Sequence, residues 1–301
     1  MGDDREAMDA LDHDLIDAGA GRRLDRFGTR LIDRPAPGAA EARLDPGAWA
    51  GAAARYTAGG WFAGPGLESP RIERPDPWSV GMGPLTFELR LSTTGQVGLF
   101  PEHALALPWF AAQARALDGA VPARILNLFA HTGLATLALA AEGASVTHVD
   151  ASRPAVTQAR RNAERSGLAG RPIRWIVDDA LAFTHREARR GRTYHGALVD
   201  PPAYGHAGTR SWRLDERLGE LLDAVAAILD PRRAFVLLTA HSTGVEPATL
   251  RTALAGAVGR PVRNVESGRL SLLATSGARL ASGAFARTVI EGGPMRHDAA
   301  R

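Results

Sequence analysis

The stretch Ile125 to Ser152, "ILNLFAHTGLATLALAAEGASVTHVDAS", decides how the chain folds. Residues 124–129 make a short apolar strand, and His131, Thr132 and Gly133 turn it tightly into the next element. The run 134–142 is rich in Ala and Leu, which lose little freedom in a helix, so it is predicted to be one. A second strand follows over 145–149 and ends at Asp150. Ser152 then stands as N-cap and Pro154 in the first turn of a helix over 153–166. Val156, Ala159 and Ala163 share one face of that helix, and Gly167 ends it.

Working outward, the alternation continues. "IRWIVDD", "HGALVD" and "AFVLLTA" are strands, while "LAFTHREARRG" and "LDERLGELLDAVAAIL" are helices. Strands alternating with helices imply right-handed crossovers and a mostly parallel sheet covered on both faces. The segment "GRLSLLATSGARLASGAFARTVI" suggests two strands around a turn, an antiparallel C-terminal edge. Upstream, frequent Pro and Gly ("RPAPG", "DPG", "SPRIERPDP") predict short strands and turns. "LTFELRLS" (85–92) alternates at period two, with "GQVGLF" (95–100) as its expected hairpin partner. The acidic start, "MGDDREAMDALDHD", is expected to be a loose tail or one short helix. The expected organisation is therefore a tail (1–20), a small mixed α+β domain (21–117), an α/β domain (118–292) and a C-terminal tail (293–301).

Composition narrows the function classes. The 301 residues contain no cysteine, which excludes disulfides, thiolate metal sites and cysteine nucleophiles. Lysine is absent as well, so every basic side chain is arginine, and the net charge of +3 permits an RNA partner without demanding one. No apolar run reaches the roughly 18 residues of a membrane helix, and no secretory leader is evident, so a cytoplasmic protein is expected.

In a parallel α/β sheet the ligand sits beyond the carboxyl ends of the strands, where the winding reverses. Each strand here ends in polar residues. The first leaves through Phe129, Ala130, His131, Thr132 and Gly133, where a glycine lets the backbone approach a ligand. The second ends in Asp150-Ala151, and an aspartate there can accept from both hydroxyls of a ribose. The third ends in Asp178-Asp179, and the fourth in Asp200-Pro201-Pro202 followed by Tyr204. A strand-end aspartate is commonly a helix cap. Four such ends in order exceed what capping requires.

From about residue 95 to 290 the chain resembles the class I S-adenosylmethionine-dependent methyltransferases, which have a Rossmann-like sheet. Within them it resembles the bacterial 23S rRNA large-subunit methyltransferases acting on cytosine carbon-5 and guanine. "GLFPEHALALPWF", "ILNLFAHTGLATLALAAEGASVTHVDAS", "IRWIVDDALAF", "LVDPPAYG" and "FVLLTAHS" carry the resemblance. It implies S-adenosylmethionine as cofactor, with the 129–133 loop at the methionine end, Asp150 on the ribose and Asp179 on the adenine. Phe100, Pro101, Glu102 and His103 would close over it. Asp200, Pro201, Pro202 and Tyr204 would grip a planar acceptor, the prolines holding the backbone rigid with no N–H to compete.

Two departures from that group shape the expectation. Cytosine carbon-5 chemistry needs a thiolate adduct, and where those enzymes carry cysteine this chain has His241, either a base or a structural histidine. Members of the group often carry a separate N-terminal RNA-binding module, and the residues before the α/β domain are expected barely to suffice for the small mixed domain. The expected reaction is therefore methylation of a nitrogen or oxygen, or of an already electron-rich carbon, with an N or O atom of an RNA base in rRNA as the leading expectation. Arg210, Trp212 and Arg213 are candidates to contact phosphate and stack a base. The alternatives are a small-molecule acceptor, or a binding protein that keeps the fold without turnover.

Overall fold

The computed structural model describes residues 11–65, 69–117, 122–207, 210–241 and 244–291. The tail expected at 293–301 and the boundary at 118 lie outside the described residues.

Three strands open the chain: β1 (His13–Gly19), β2 (Arg22–Phe27) and β3 (Arg30–Pro35). With β4 (Ala54–Thr57) and β5 (Gly60–Ala63) they form a five-stranded sheet, antiparallel except where β3 meets β4. The expected loose tail or short helix is thus corrected over 13–19. Those residues are a strand because each acid there finds a partner: Asp12 and Asp14 pair with Arg26, and buried Asp17 accepts from Trp49 Nε1 at 2.8 Å.

A separate hairpin pairs β6 (Trp78–Met82) with β7 (Leu85–Leu89). The sequence pairs 85–92 with 95–100; the structure keeps only the turn end of that pairing, with Arg90 N–H on the Val97 carbonyl at 3.0 Å, and gives 85–89 to β6. Gly95 and Gly98 adopt φ of 80° and 94°, which breaks a strand, leaving a turn closed by Ser92 N–H on the Gln96 carbonyl at 2.8 Å.

After helix α1 (Leu107–Arg115) the alternation predicted from the sequence appears: β8 (Arg124–Leu128), α2 (Leu134–Ala141), β9 (Ser145–Asp150), α3 (Arg153–Arg165), β10 (Ile173–Val177), α4 (Ala180–Arg189) and β11 (Gly196–Val199). A short hairpin, β12 (Tyr204–Ala207) with β13 (Arg210–Arg213), precedes α5 (Leu214–Ala226), β14 (Arg233–Ala240), α6 (Pro247–Ala257), β15 (Glu266–Leu273) and β16 (Arg279–Glu291). The sheet order is β10-β9-β8-β11-β14-β16-β15, parallel through β14, with β16 antiparallel between β14 and β15. This is the expected α/β sheet with its antiparallel edge. Helices α1 and α6 were not anticipated.

Period-two alternation sorts the core into two layers. Ile125, Leu198, Phe235 and Leu237 face α1–α3 and join a cluster that includes Phe27, Trp61 and Phe87 of the N-terminal strands. Leu126, Leu128, Val199, Val236 and Leu238 face α4–α6. The N-terminal strands therefore share a core with one face of the main sheet, and each large side chain withdrawn there contributes about 1.5–3 kcal/mol. Polar bridges add to the join. Glu88 accepts from Arg165 at 2.6 Å, and the Glu88 N–H donates to Asn162 Oδ1 at 3.0 Å.

Candidate functional site

Winding reverses between β8 and β11, and at the carboxyl ends of the strands there lies a cavity of about 550 Å³. The loop after β8 is conformationally strained. Phe129 and His131 take φ of 57° and 48°, unusual for residues with a Cβ, and each costs about 1–3 kcal/mol. Asp150 holds this loop: its Oδ2 accepts from His131 N–H at 2.8 Å and its Oδ1 from Ser152 N–H at 2.8 Å. One carboxylate thereby fixes both the loop and the start of α3. Burial pushes Asp150 upward, against those two N–H donors. Gly133 has φ of 93°, and a Cβ there would meet Ala159 Cβ at 3.1 Å.

From the far side, buried Asn162 donates to the Thr132 carbonyl at 3.0 Å while its Oδ1 accepts from Glu88 N–H. Asn162 therefore ties the N-terminal hairpin to the loop. Asn162→Ala leaves two buried groups unpaired and is expected to cost about 2–4 kcal/mol in urea denaturation. A loss below about 0.5 kcal/mol would show that the bridge carries no load.

At the end of β11 stands Asp200, its carboxylate flanked by two imidazoles. His103 Nε2 lies 2.8 Å from Oδ2, His241 Nε2 lies 3.2 Å from Oδ1, and Thr239 also donates to Oδ1 at 2.5 Å. Burial would raise the Asp200 carboxyl, but the His103 and His241 charges outweigh it and hold it well below the usual range. His241 responds oppositely. Burial would lower it, yet the Asp200 and Glu102 carboxylates, with the Ser282 carbonyl that accepts from Nδ1 at 2.5 Å, raise it to about 9. That carbonyl is aimed by a bulge: Ser282 drops out of register between β15 and β16, and Gly283 lets the strand approach β14, since a Cβ there would lie 2.4 Å from the Ala240 carbonyl oxygen. Held protonated at neutral pH, His241 is a charge partner for Asp200 and not a general base.

His131, facing the same cavity, is pushed down to about 4 by burial and by the His103 charge. The three ligand atoms of His103, Asp200 and His241 lie within 4.8 Å of one another, a spacing that could also hold a divalent cation.

A pH prediction follows from His241. Its folded value of about 9 exceeds the ordinary 6.5, so its stabilisation is complete below about 6.5 and is lost as pH rises through about 9. The melting temperature should fall from about pH 6.5 to about pH 9 and level off above that, and His241→Asn should lack that step. An identical profile in the variant would assign the step to another group.

Most residues singled out in the sequence meet here. Phe100, Glu102, His103, Phe129, His131, Asp150, Ala151, Asp178, Asp179, Asp200, Pro201 and Pro202 line the cavity, while Ala130, Thr132 and Gly133 line a smaller one of about 30 Å³ beside it. Pro101 is buried and begins a 3-10 turn without lining either. Asp179 caps α4, accepting from Ala182 N–H at 2.8 Å, and Asp178 pairs with Arg186. The capping role therefore holds for Asp179 even though it also lines the cavity.

Tyr204 is 59% exposed and outside the lining. The aromatic wall is Trp212 instead, 5% exposed, packed on Phe129 at 5.1 Å and donating to the Pro202 carbonyl at 2.8 Å. Arg213 is exposed and paired with Asp215 and Glu216. The Arg210 side chain lies outside the described residues.

Sequence reading missed Arg23, Arg34, Gln96 and Ser282, which line the same cavity. "RRLDRF" and "RLIDRP" are rich in charged residues, the composition of a solvated strand face. Nothing in the sequence alone marks that face as buried.

Comparison with known proteins agrees with this geometry. No family model matches the chain. A 151-residue segment, 49% of this chain, is 32% identical to the ribosomal RNA large subunit methyltransferase K/L of Magnetococcus marinus. The chain spans about 20% of the length of such curated relatives. The crystal structure of the SAM-dependent methyltransferase from Agrobacterium tumefaciens is 33% identical, with a TM-score of 0.83 over 94% of this chain and 91% of that one. A candidate SAM-dependent methyltransferase from Streptococcus mutans shares the fold at 11% identity, with a TM-score of 0.68 over 96% of this chain and 80% of that one.

Proposed function

The chain belongs to the S-adenosylmethionine-dependent methyltransferases, and from that premise we propose that it methylates a nitrogen or oxygen of an RNA base, with ribosomal RNA as the substrate. The observation that carries the reading is the Asp200-Pro201-Pro202 corner, which opens on the same cavity as Asp150. The similarity of half the chain to rRNA methyltransferases supports the choice of RNA. Action on rRNA would make it cytoplasmic, and among the described residues no helix is long and apolar enough to cross a membrane.

The residues present fit the cofactor. Its ribose hydroxyls and adenine amino group are donors, and the cavity offers the Asp150 and Asp178 carboxylates to accept from them, with Phe129, Val149 and Trp212 as apolar wall. Bound there, S-adenosylmethionine supplies an electrophilic methyl on a sulfonium.

What the chain adds is alignment, because an in-line displacement is accelerated largely by positioning. Asp200 is held anionic and rigid. It can accept from an amino or hydroxyl group of the acceptor and orient the lone pair that attacks. Once the nitrogen or oxygen is methylated its proton becomes acidic, and the carboxylate or water can take it. His241, already protonated, does not compete for that proton. A covalent thiolate route is closed, since the 301 residues include no cysteine.

The test is incubation of the protein and labelled cofactor with total RNA or with a metabolite extract. Label in RNA, with nucleoside analysis naming the base, is the expected outcome. Label confined to small molecules would replace RNA by a metabolite acceptor. Cofactor binding with no transfer to either would leave a binding protein.

A further inference from the structure

One wall of the cavity belongs to the N-terminal strands and is charged. Arg23 and Arg34 line it at 5% and 3% exposure, both anchored on Asp25. Arg34 also donates from Nη1 to Gln96 at 2.8 Å. One donor of each, Arg23 Nε and Arg34 Nη2, has no hydrogen-bond partner. Ser282 Oγ and Glu102 Oε2, on residues lining the same cavity, are likewise buried without a hydrogen bond, whereas His241 Nε2 is taken by Asp200.

An unpaired buried donor costs about 1–3 kcal/mol, so such groups rarely gather by chance. The set is also lopsided. Three of these four atoms can donate, and the lone pure acceptor, Glu102 Oε2, is already 3.6 Å from Arg23 Nη1. Burial and the neighbouring Arg23 charge lower the Arg34 guanidinium even though Asp25 bridges the two, so a second anion at their free donors would be favoured.

We propose that Arg23, Arg34 and Ser282 form an oxyanion subsite that binds an anionic oxygen group, phosphate or carboxylate, on the methyl acceptor. The inference rests on the methyltransferase reading and narrows its substrate. The acceptor carries a charged oxygen group that reaches the N-terminal strands. In a nucleotide that group is a phosphate, in a metabolite a carboxylate. Planar guanidinium forks suit either.

The test titrates the full chain, saturated with S-adenosylhomocysteine, with inorganic phosphate and with benzoate. One of the two should bind with a stoichiometry of one. Phosphate favours a nucleotide acceptor and benzoate a carboxylate. Arg34→Gln should weaken that binding at least tenfold while leaving S-adenosylhomocysteine affinity within about twofold. Should Arg34→Gln fail to fold, Ser282→Ala replaces it, with a loss of threefold or more expected. The subsite is overturned if neither probe binds, or if the folded variants bind it as the parent does. Failure of S-adenosylhomocysteine to bind the parent would instead remove the methyltransferase reading itself, so the two failures are separable.

Discussion

Asp200→Ala is expected to lower methyl-transfer turnover about a thousandfold while leaving S-adenosylhomocysteine affinity within about threefold. The carboxylate is the group placed to orient the acceptor, and it is held anionic between His103 and His241. Without it those imidazoles face each other with ring centroids 4.9 Å apart and no charge between them. The upward shift of His241 comes chiefly from Asp200, so the same substitution should also remove most of the loss of stability between about pH 6.5 and 9. Asp200→Asn keeps the shape and one accepting oxygen but loses the charge, and it should fall between parent and alanine variant. Labelled-methyl transfer at saturating cofactor measures the effect. Turnover of Asp200→Ala within threefold of the parent would remove Asp200 from the chemistry.

Much of this site was legible in the sequence because it sits where local rules are strong. Strands buried on both faces are continuous apolar runs, and a polar residue ending such a run marks the rim. Asp150, Asp200 and the 129–133 loop were found that way, and the chain brings them to one cavity. Residues on the opposite wall were not legible, because their burial is a tertiary fact. Asp25 is fully buried, yet it sits in "RRLDRF", whose charge content reads as a solvated strand. It is tolerated because His13, Arg23 and Arg34 all bond it. Tyr204 and Trp212 show the complementary limit. Both follow the Pro-Pro corner, and only the pairing of β12 with β13 turns Trp212 inward while Tyr204 stays exposed.

Asp150→Ala should raise the dissociation constant for S-adenosylhomocysteine about a hundredfold and the cofactor KM in parallel, with turnover at saturation reduced less than about fivefold. Two losses add. A hydrogen bond to a charged carboxylate contributes about 1.5–3 kcal/mol, and each 1.4 kcal/mol is tenfold in affinity. The second loss is structural: His131 N–H and Ser152 N–H both end on this carboxylate, so its removal frees a loop that two left-handed residues already strain. Asp150→Asn separates the contributions. Its single amide oxygen can serve one of the two N–H groups, so the loop should be partly held, and the remaining weakening reports on the ligand contact. If calorimetry finds Asp150→Ala binding as tightly as the parent, the carboxylate serves the loop alone and the ribose must be held elsewhere. If binding weakens but turnover collapses equally, the loop governs alignment of the methyl group as well as affinity.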